Sequence, residues 1–306
     1  MNDIAPKKYY DKDHGYLLTA SQALSNCRYR LIPFDDRWMI SEIMVCDRPK
    51  FNGGGYGLLD PVARRPRTDD DVPLTPDERQ AYINRSRRRA YKAVKDIMDC
   101  NDFDWFMTFT LDESVIDRTD YAAFIKSVNR YFDNRVRRYG WKYCAVVEYH
   151  KRVEDNGKHA LHLHACVSGD KMNLVDSGTV IRPDGGKPVK RATARKQGYH
   201  DTDLRTVYNV ADWRLGHSTA IHTFGKRLQL ARYITKYITK SDADDKVGGR
   251  WYYSGGALRK PAYIYDDVDF HSLVGDVEFA HEFGEFKIKY FDEGLELDRV
   301  GDIFTG

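Results

Sequence analysis

Apolar residues recur at three- and four-residue spacing at Tyr121, Phe124, Ile125, Val128, Phe132 and Val136, which predicts a helix with one buried face, capped by Thr119 and stopped by Gly140. An earlier helix is announced by Thr75-Pro76-Asp77-Glu78, which combines an N-cap, a proline at the first helical position and a capping-box glutamate, and it should run to about Asp99. Between them Trp105 to Leu111 is short, aromatic and threonine-rich, and reads as a buried strand. Trp141 to Glu148 and Ala160 to Val167 flank the turn sequence Glu154-Asp155-Asn156-Gly157 and should pair as a hairpin. Beyond it come a Gly-, Pro- and Lys-rich loop near 183–200, strands at Thr206–Asp212 and Ser218–Phe224, a helix from about Lys226 to Lys240, and a strand at Trp251–Leu258. These elements predict an α+β fold, a central antiparallel sheet flanked by helices. Three regions follow: 1–75, a flanking region of short strands and loops; 76–262, the main domain; and 263–306, an acidic segment whose strands are expected to pack on that same domain.

Composition narrows the class. No run of 18 apolar residues exists to span a bilayer, and Met1 to Asp13 is mostly polar, so the expectation is a protein of the cytoplasm without membrane contact. Cys27, Cys46, Cys100, Cys144 and Cys166 are scattered without a CxxC pair, and read as core residues. The net charge of +3 hides an asymmetry: residues 171–260 carry 18 Lys/Arg against 8 Asp/Glu, and residues 261–306 carry 3 against 12. The basic part can face phosphate. The acidic end reads either as a solvated face or as a brake on indiscriminate DNA binding. On the first helix Arg85, Arg88 and Arg89 form a basic surface that suits solvent or DNA equally.

Two clusters carry chemistry. In His162-Leu163-His164 the alternation of a strand sends both imidazoles to one face. If the turn centres on Asp155, Glu148 lies opposite His162 and His150 falls two residues along on the same face. Nitrogen and oxygen donors so gathered suit a divalent ion that keeps positions open for phosphate, Mn²⁺ or Mg²⁺, with zinc chemically allowed. The second cluster is Arg232-Tyr233-Ile234-Thr235-Lys236-Tyr237-Ile238-Thr239-Lys240. Four-residue spacing puts Tyr233 and Tyr237 on one helix face, Ile234 and Ile238 on an adjacent apolar stripe, and Lys236 and Lys240 on a third. A phenol needs help to act as a nucleophile, and either lysine could favour its ionised form.

The ordered set of the Arg-rich helix with Asn101-Asp102-Phe103-Asp104, the strand Phe106–Leu111, Glu148-Tyr149-His150-Lys151, His162-Leu163-His164, Tyr233-Ile234-Thr235-Lys236-Tyr237 and Trp251-Tyr252-Tyr253-Ser254-Gly255-Gly256 resembles the HUH endonuclease superfamily, where U is hydrophobic. Within it the chain is most similar to rolling-circle replication initiators of single-stranded DNA phages and plasmids, over about residues 80–262. The resemblance implies a metal held by His162, His164 and an acidic third residue, best Glu148, and a tyrosine that cuts one strand to leave a 3′ hydroxyl and a 5′ phosphotyrosine. Two tyrosines imply that the second cuts the regenerated origin and the ends are rejoined. Tyr237, between Lys236 and Lys240, is slightly favoured. Partners implied are single-stranded or supercoiled origin DNA and a host polymerase in a bacterial cytoplasm.

The chain contains no GxxxxGK[ST] loop, so a host helicase is expected to open the duplex. Conjugative relaxases fit less well, because their tyrosines precede the metal motif. Two other functions stand beside nicking at a replication origin. One is a non-catalytic single-stranded DNA-binding protein, gripping through Arg232, Arg250, Arg259 and the aromatic run Trp251-Tyr252-Tyr253. The other is an HUH transposase with the same chemistry and a different DNA partner.

Overall fold

The computed structural model describes residues 9–11, 16–18, 24–34, 37–46, 51–52, 75–154, 156–224, 227–239, 250–266, 279–283 and 286–292. In chain order the strands and helices are β1 (Tyr9–Asp11), β2 (Tyr16–Leu18), β3 (Leu24–Ser25), β4 (Cys27–Phe34), β5 (Arg37–Cys46), β6 (Phe51–Asn52), α1 (Pro76–Cys100) and β7 (Trp105–Thr110). Next come α2 (Tyr121–Tyr139), β8 (Lys142–Val153), β9 (His159–Ser168), β10 (Leu174–Arg182), β11 (Gly185–Lys190), α3 (Arg191–Lys196), β12 (Arg205–Val210) and β13 (Ser218–His222). The chain closes with α4 (Arg227–Thr239), β14 (Tyr253–Gly255), β15 (Ala262–Asp266), β16 (Phe279–Phe283) and β17 (Phe286–Asp292). It divides into two units, residues 74–259 and residues 1–73 with 260–306.

The 74–259 unit is built on an eight-stranded sheet in the order β11-β10-β12-β13-β7-β9-β8-β14. Every neighbouring pair is antiparallel, as the hairpin-rich sequence leads one to expect. Alternation along β9 explains its two covered faces. Leu161, Leu163, Ala165 and Val167 point into one core with Phe124, Val128 and Phe132 of α2, while Cys166 points into another with Ala90, Val94 and Met98 of α1 and Ile234 and Ile238 of α4. The sheet is therefore sandwiched between helices. Among the described residues no helix is long and apolar enough to cross a membrane.

Local signals act as the sequence suggests, with three corrections. Thr75 accepts a hydrogen bond from the Glu78 amide and Glu78 returns one from the Thr75 amide, so the capping box of α1 is complete. The α2 cap is Asp120 rather than Thr119: its carboxylate accepts from the amides of Ala122 and Ala123, while Thr119 is held one residue earlier by Asp117. Gly140 ends α2 in the left-handed conformation, φ 62°. The segment near 183–200 is not a loop. It forms the hairpin strand β11 and the short helix α3, because Thr179, Val180 and Arg182 find cross-strand partners in Lys190, Val189 and Gly185. The strand expected over Trp251–Leu258 shrinks to Tyr253–Gly255, which edges the sheet against β8. Cys27, Cys100, Cys144 and Cys166 are buried free thiols, as core residues should be; the Cys46 side chain lies outside the described residues.

Close packing at the end of β14 requires glycine. Gly256 sits at φ +91°, and a Cβ there would lie 2.2 Å from the Trp141 carbonyl oxygen. Gly256→Ala is therefore expected to destabilise the protein by ~2–3 kcal/mol, seen as a fall of roughly 5–10 °C in the thermal midpoint of the full chain.

In the other unit β4 and β5 form the centre of a five-stranded sheet in the order β15-β4-β5-β17-β16. The acidic C-terminal segment thus does not pack on the 76–262 region as expected. Its strands β15 and β17 instead complete the main-chain ladders of β4 and β5, the edge groups of which need partners. Cys27, Leu31, Ile40 and Val45 are buried here, and Arg28 is buried with its guanidinium 3.0 Å from Glu42.

Candidate active site

The β8–β9 register sets the site. Glu148 stands directly opposite His162, and Val146 opposite His164, the pairing that a turn centred on residue 155 predicts. Because opposite residues share a face, the carboxylate and both imidazoles emerge together on the side of the sheet covered by α1 and α4. Both Nε2 atoms converge on a single oxygen, Glu148 Oε2, at 2.9 Å from His162 and 3.2 Å from His164. One ligand-capable atom from each of the three residues lies within 4.8 Å of the others. Two imidazole nitrogens and a carboxylate oxygen aimed at one point form the donor set of a divalent cation, and three protein ligands leave positions for a substrate oxygen.

Electrostatics keep these groups in their ligating forms. Burial acts to raise the Glu148 carboxyl, but the hydrogen bonds and charges of His162 and His164 outweigh it and hold the group down at about 2. Burial is also the main influence on His164 and here lowers it, the His162 charge adding and Glu148 opposing. Glu148 is thus a carboxylate, and His164 favours its neutral, ligating state.

Neighbouring residues fix the ring of His164. Phe106 stacks on it with ring centroids 5.8 Å apart and planes 15° apart. Thr108, its cross-strand partner on β7, places Oγ1 3.1 Å from His164 Nδ1. His164 can offer Nε2 to a cation only with the proton on Nδ1, and that proton is then donated to the Thr108 hydroxyl. Thr108 was not singled out from the sequence, because its role depends on the register between β7 and β9, strands more than fifty residues apart. Thr108→Val, which keeps the shape and removes the acceptor, is expected to weaken Mn²⁺ binding about 10- to 100-fold by titration calorimetry while leaving the circular dichroism spectrum unchanged.

Helix α4 brings the tyrosines to the metal face. Ile234 and Ile238 are buried against Val146 and Cys166, which turns Tyr233 and Tyr237 toward β9. Tyr237 is half-buried and lies almost parallel to His164, with ring centroids 4.5 Å apart at 17°. Tyr233 is exposed, 5.3 Å from Tyr237 and edge-on to Phe106 at 5.0 Å. Burial, a hydrogen bond to Tyr233, the Tyr233 phenol and the Glu148 charge all push Tyr237 upward, so this phenol stays protonated.

The remaining predicted residues divide. His150 does not join the ligand cluster. A register irregularity after Tyr149 displaces its stretch of β8 from the pairing, and its exposed ring meets that of His162 edge-on at 5.8 Å. Lys236 and Arg232 are exposed on α4, and Lys240 lies outside the described residues. Arg85, Arg88 and Arg89 are exposed on α1. Arg250 sits over the Tyr253 ring, 5.9 Å from its centroid. Arg259 reaches Asp102 at 3.4 Å, and its amide donates to Asn101 at 2.8 Å, so it ties the chain back to the end of α1.

No curated protein and no solved structure matches the chain. Residues 104–242, which include Glu148, His162, His164, Tyr233 and Tyr237, match the family model of the replication-associated protein ORF2, a likeness that supports a role as a replication initiator.

Proposed function

We propose that this protein initiates rolling-circle replication by cutting one DNA strand through a tyrosine, with Glu148, His162 and His164 holding a divalent ion, Mn²⁺ or Mg²⁺, against the scissile phosphate. The observation that carries this reading is the stacking of Tyr237 on His164 at 4.5 Å, which sets a candidate nucleophile beside the three converging ligands. When bound, the ion supplies Lewis-acid polarisation of a non-bridging phosphate oxygen. Everything else falls to the chain. Glu148, once its charge is committed to a cation, no longer opposes ionisation of the Tyr237 phenol. The phenolic oxygen attacks phosphorus, the bond from phosphorus to the 3′ oxygen breaks, and the phenolic proton passes through solvent to the departing 3′ oxygen. One phosphoester bond is exchanged for another, so the link can be reversed without ATP and the 3′ hydroxyl is free to prime a host polymerase.

Tyr233, on the same helix face and exposed, is placed to act in the second cut that frees the circle. Arg232 beside it is suited to the DNA backbone. We assign the substrate to origin DNA of a phage or plasmid in a bacterial cytoplasm, opened by a host helicase. The test uses an oligonucleotide from the element's own origin, labelled in turn at each end, with Mn²⁺ or with chelator. Cleavage that leaves a free 3′ hydroxyl and transfers the downstream fragment to protein supports the reading. Tight, metal-independent binding without cleavage would identify a single-stranded DNA-binding protein instead.

A further inference from the structure

A second cleft lies apart from the metal and tyrosines, between α1 and the segment leading into β14. It encloses about 510 Å³ and is bordered by Ser86, Arg89, Arg250, Trp251, Tyr252 and Ser254. That size falls within the range of pockets that hold one small organic group. Its walls are aromatic and its charges are of one sign. Neither Arg89 nor Arg250 has an ion-pair partner among the described residues, and no Asp or Glu borders the cleft. The indole Nε1 of Trp251 donates to Ser86 Oγ at 3.1 Å, which pins the ring to α1 and keeps the cleft's aromatic wall in place. On α1, Arg85, Arg88, Arg89 and Lys92 are exposed at three- and four-residue spacing, so a basic stripe runs along the helix from the cleft.

The geometry points to a nucleotide-binding site for single-stranded DNA in this cleft, with a base against Trp251 and Tyr252 and the flanking phosphates on Arg89 and Arg250. Guanidiniums unspent on carboxylates can neutralise phosphate, and aromatic faces stack bases of any identity. A base paired inside a duplex cannot reach such a wall, which selects the single strand. The site extends the nicking proposal and rests on it only for the identity of the DNA. Ser86, Arg89 and the 250–254 segment fall outside residues 104–242, the region similar to the replication-associated family. It would hold the strand at a second point while the metal face holds the scissile phosphate.

The test uses the full chain with chelator present, so that nothing is cut, and an origin single strand carrying 5-iododeoxyuridine at each thymine in turn. Irradiation followed by peptide mapping is expected to place cross-links on Trp251 or Tyr252. The double variant Arg89→Ala with Arg250→Ala is expected to bind the strand roughly tenfold more weakly, with the slope of log affinity against log salt reduced by about one to one and a half. Absence of any cross-link in residues 250–254, an unchanged affinity and slope in the double variant, or equal cross-linking of the matching duplex would each overturn the proposal. The metal-dependent adduct of the wild-type protein is read separately. Its loss would remove the nicking reaction and leave the cross-link result standing.

Discussion

Replacing His164 with alanine is expected to reduce strand cleavage by about 10³-fold or more. The imidazole supplies one of three ligands, and it also forms the surface on which Tyr237 stacks. Polarisation of phosphate by a bound cation is worth several kcal/mol in the transition state, and each ~1.4 kcal/mol is a factor of ten in rate. His164 is almost wholly buried between Phe106 and Tyr237, so alanine also leaves a cavity. His162→Ala separates the two effects. That ring is more exposed and does not stack on either tyrosine, yet it offers Nε2 to the same point at 2.9 Å from Glu148. Both variants should lose cleavage and Mn²⁺ binding, while His162→Ala keeps the thermal midpoint within a few degrees. Cleavage persisting near the wild-type rate in His162→Ala would show that the three residues do not hold the catalytic ion.

The second large effect concerns the nucleophile. Tyr237→Phe keeps the ring stacked on His164 and removes only the hydroxyl, so the first cut is expected to fall to background, on the order of 10³-fold or more, with little change in metal affinity. Tyr233→Phe is expected to permit that first cut and to impair joining of the two ends. The contrast follows from their surroundings: Tyr237 lies closest to the ligand set, whereas Tyr233 projects toward solvent. The reverse pattern, with Tyr233→Phe inactive and Tyr237→Phe active, would make Tyr233 the first nucleophile and Tyr237 a packing residue. Rates should be measured by single turnover on a labelled origin strand.

What could be read from sequence was local or followed a fixed period. The capping box at Thr75, the left-handed stop at Gly140 and the hairpin register that sets Glu148 against His162 are each determined within a few residues or by one turn. Helical spacing likewise put Ile234 and Ile238 beneath Tyr233 and Tyr237. Features set by distant pairing were not legible. The place of Thr108 beside His164 depends on β7 finding β9. The short extent of β14 depends on how it meets β8, and the strands of the acidic C-terminal segment pair with β4 and β5, more than two hundred residues away. His150 shows the limit of a simple register rule, since one irregularity after Tyr149 takes its side chain out of the ligand set. Lysine assistance stays the least anchored of the expectations, with Lys236 exposed and Lys240 outside the described residues.

The most direct test is mass spectrometry of the intact full chain after incubation with single strands tiling the element's origin, with Mn²⁺ or chelator, followed by peptide mapping. The account predicts a mass gain equal to the downstream fragment of one oligonucleotide, dependent on metal, absent in His162→Ala and located on Tyr237 or Tyr233. Tight binding of those strands with no mass gain at any metal concentration would contradict it.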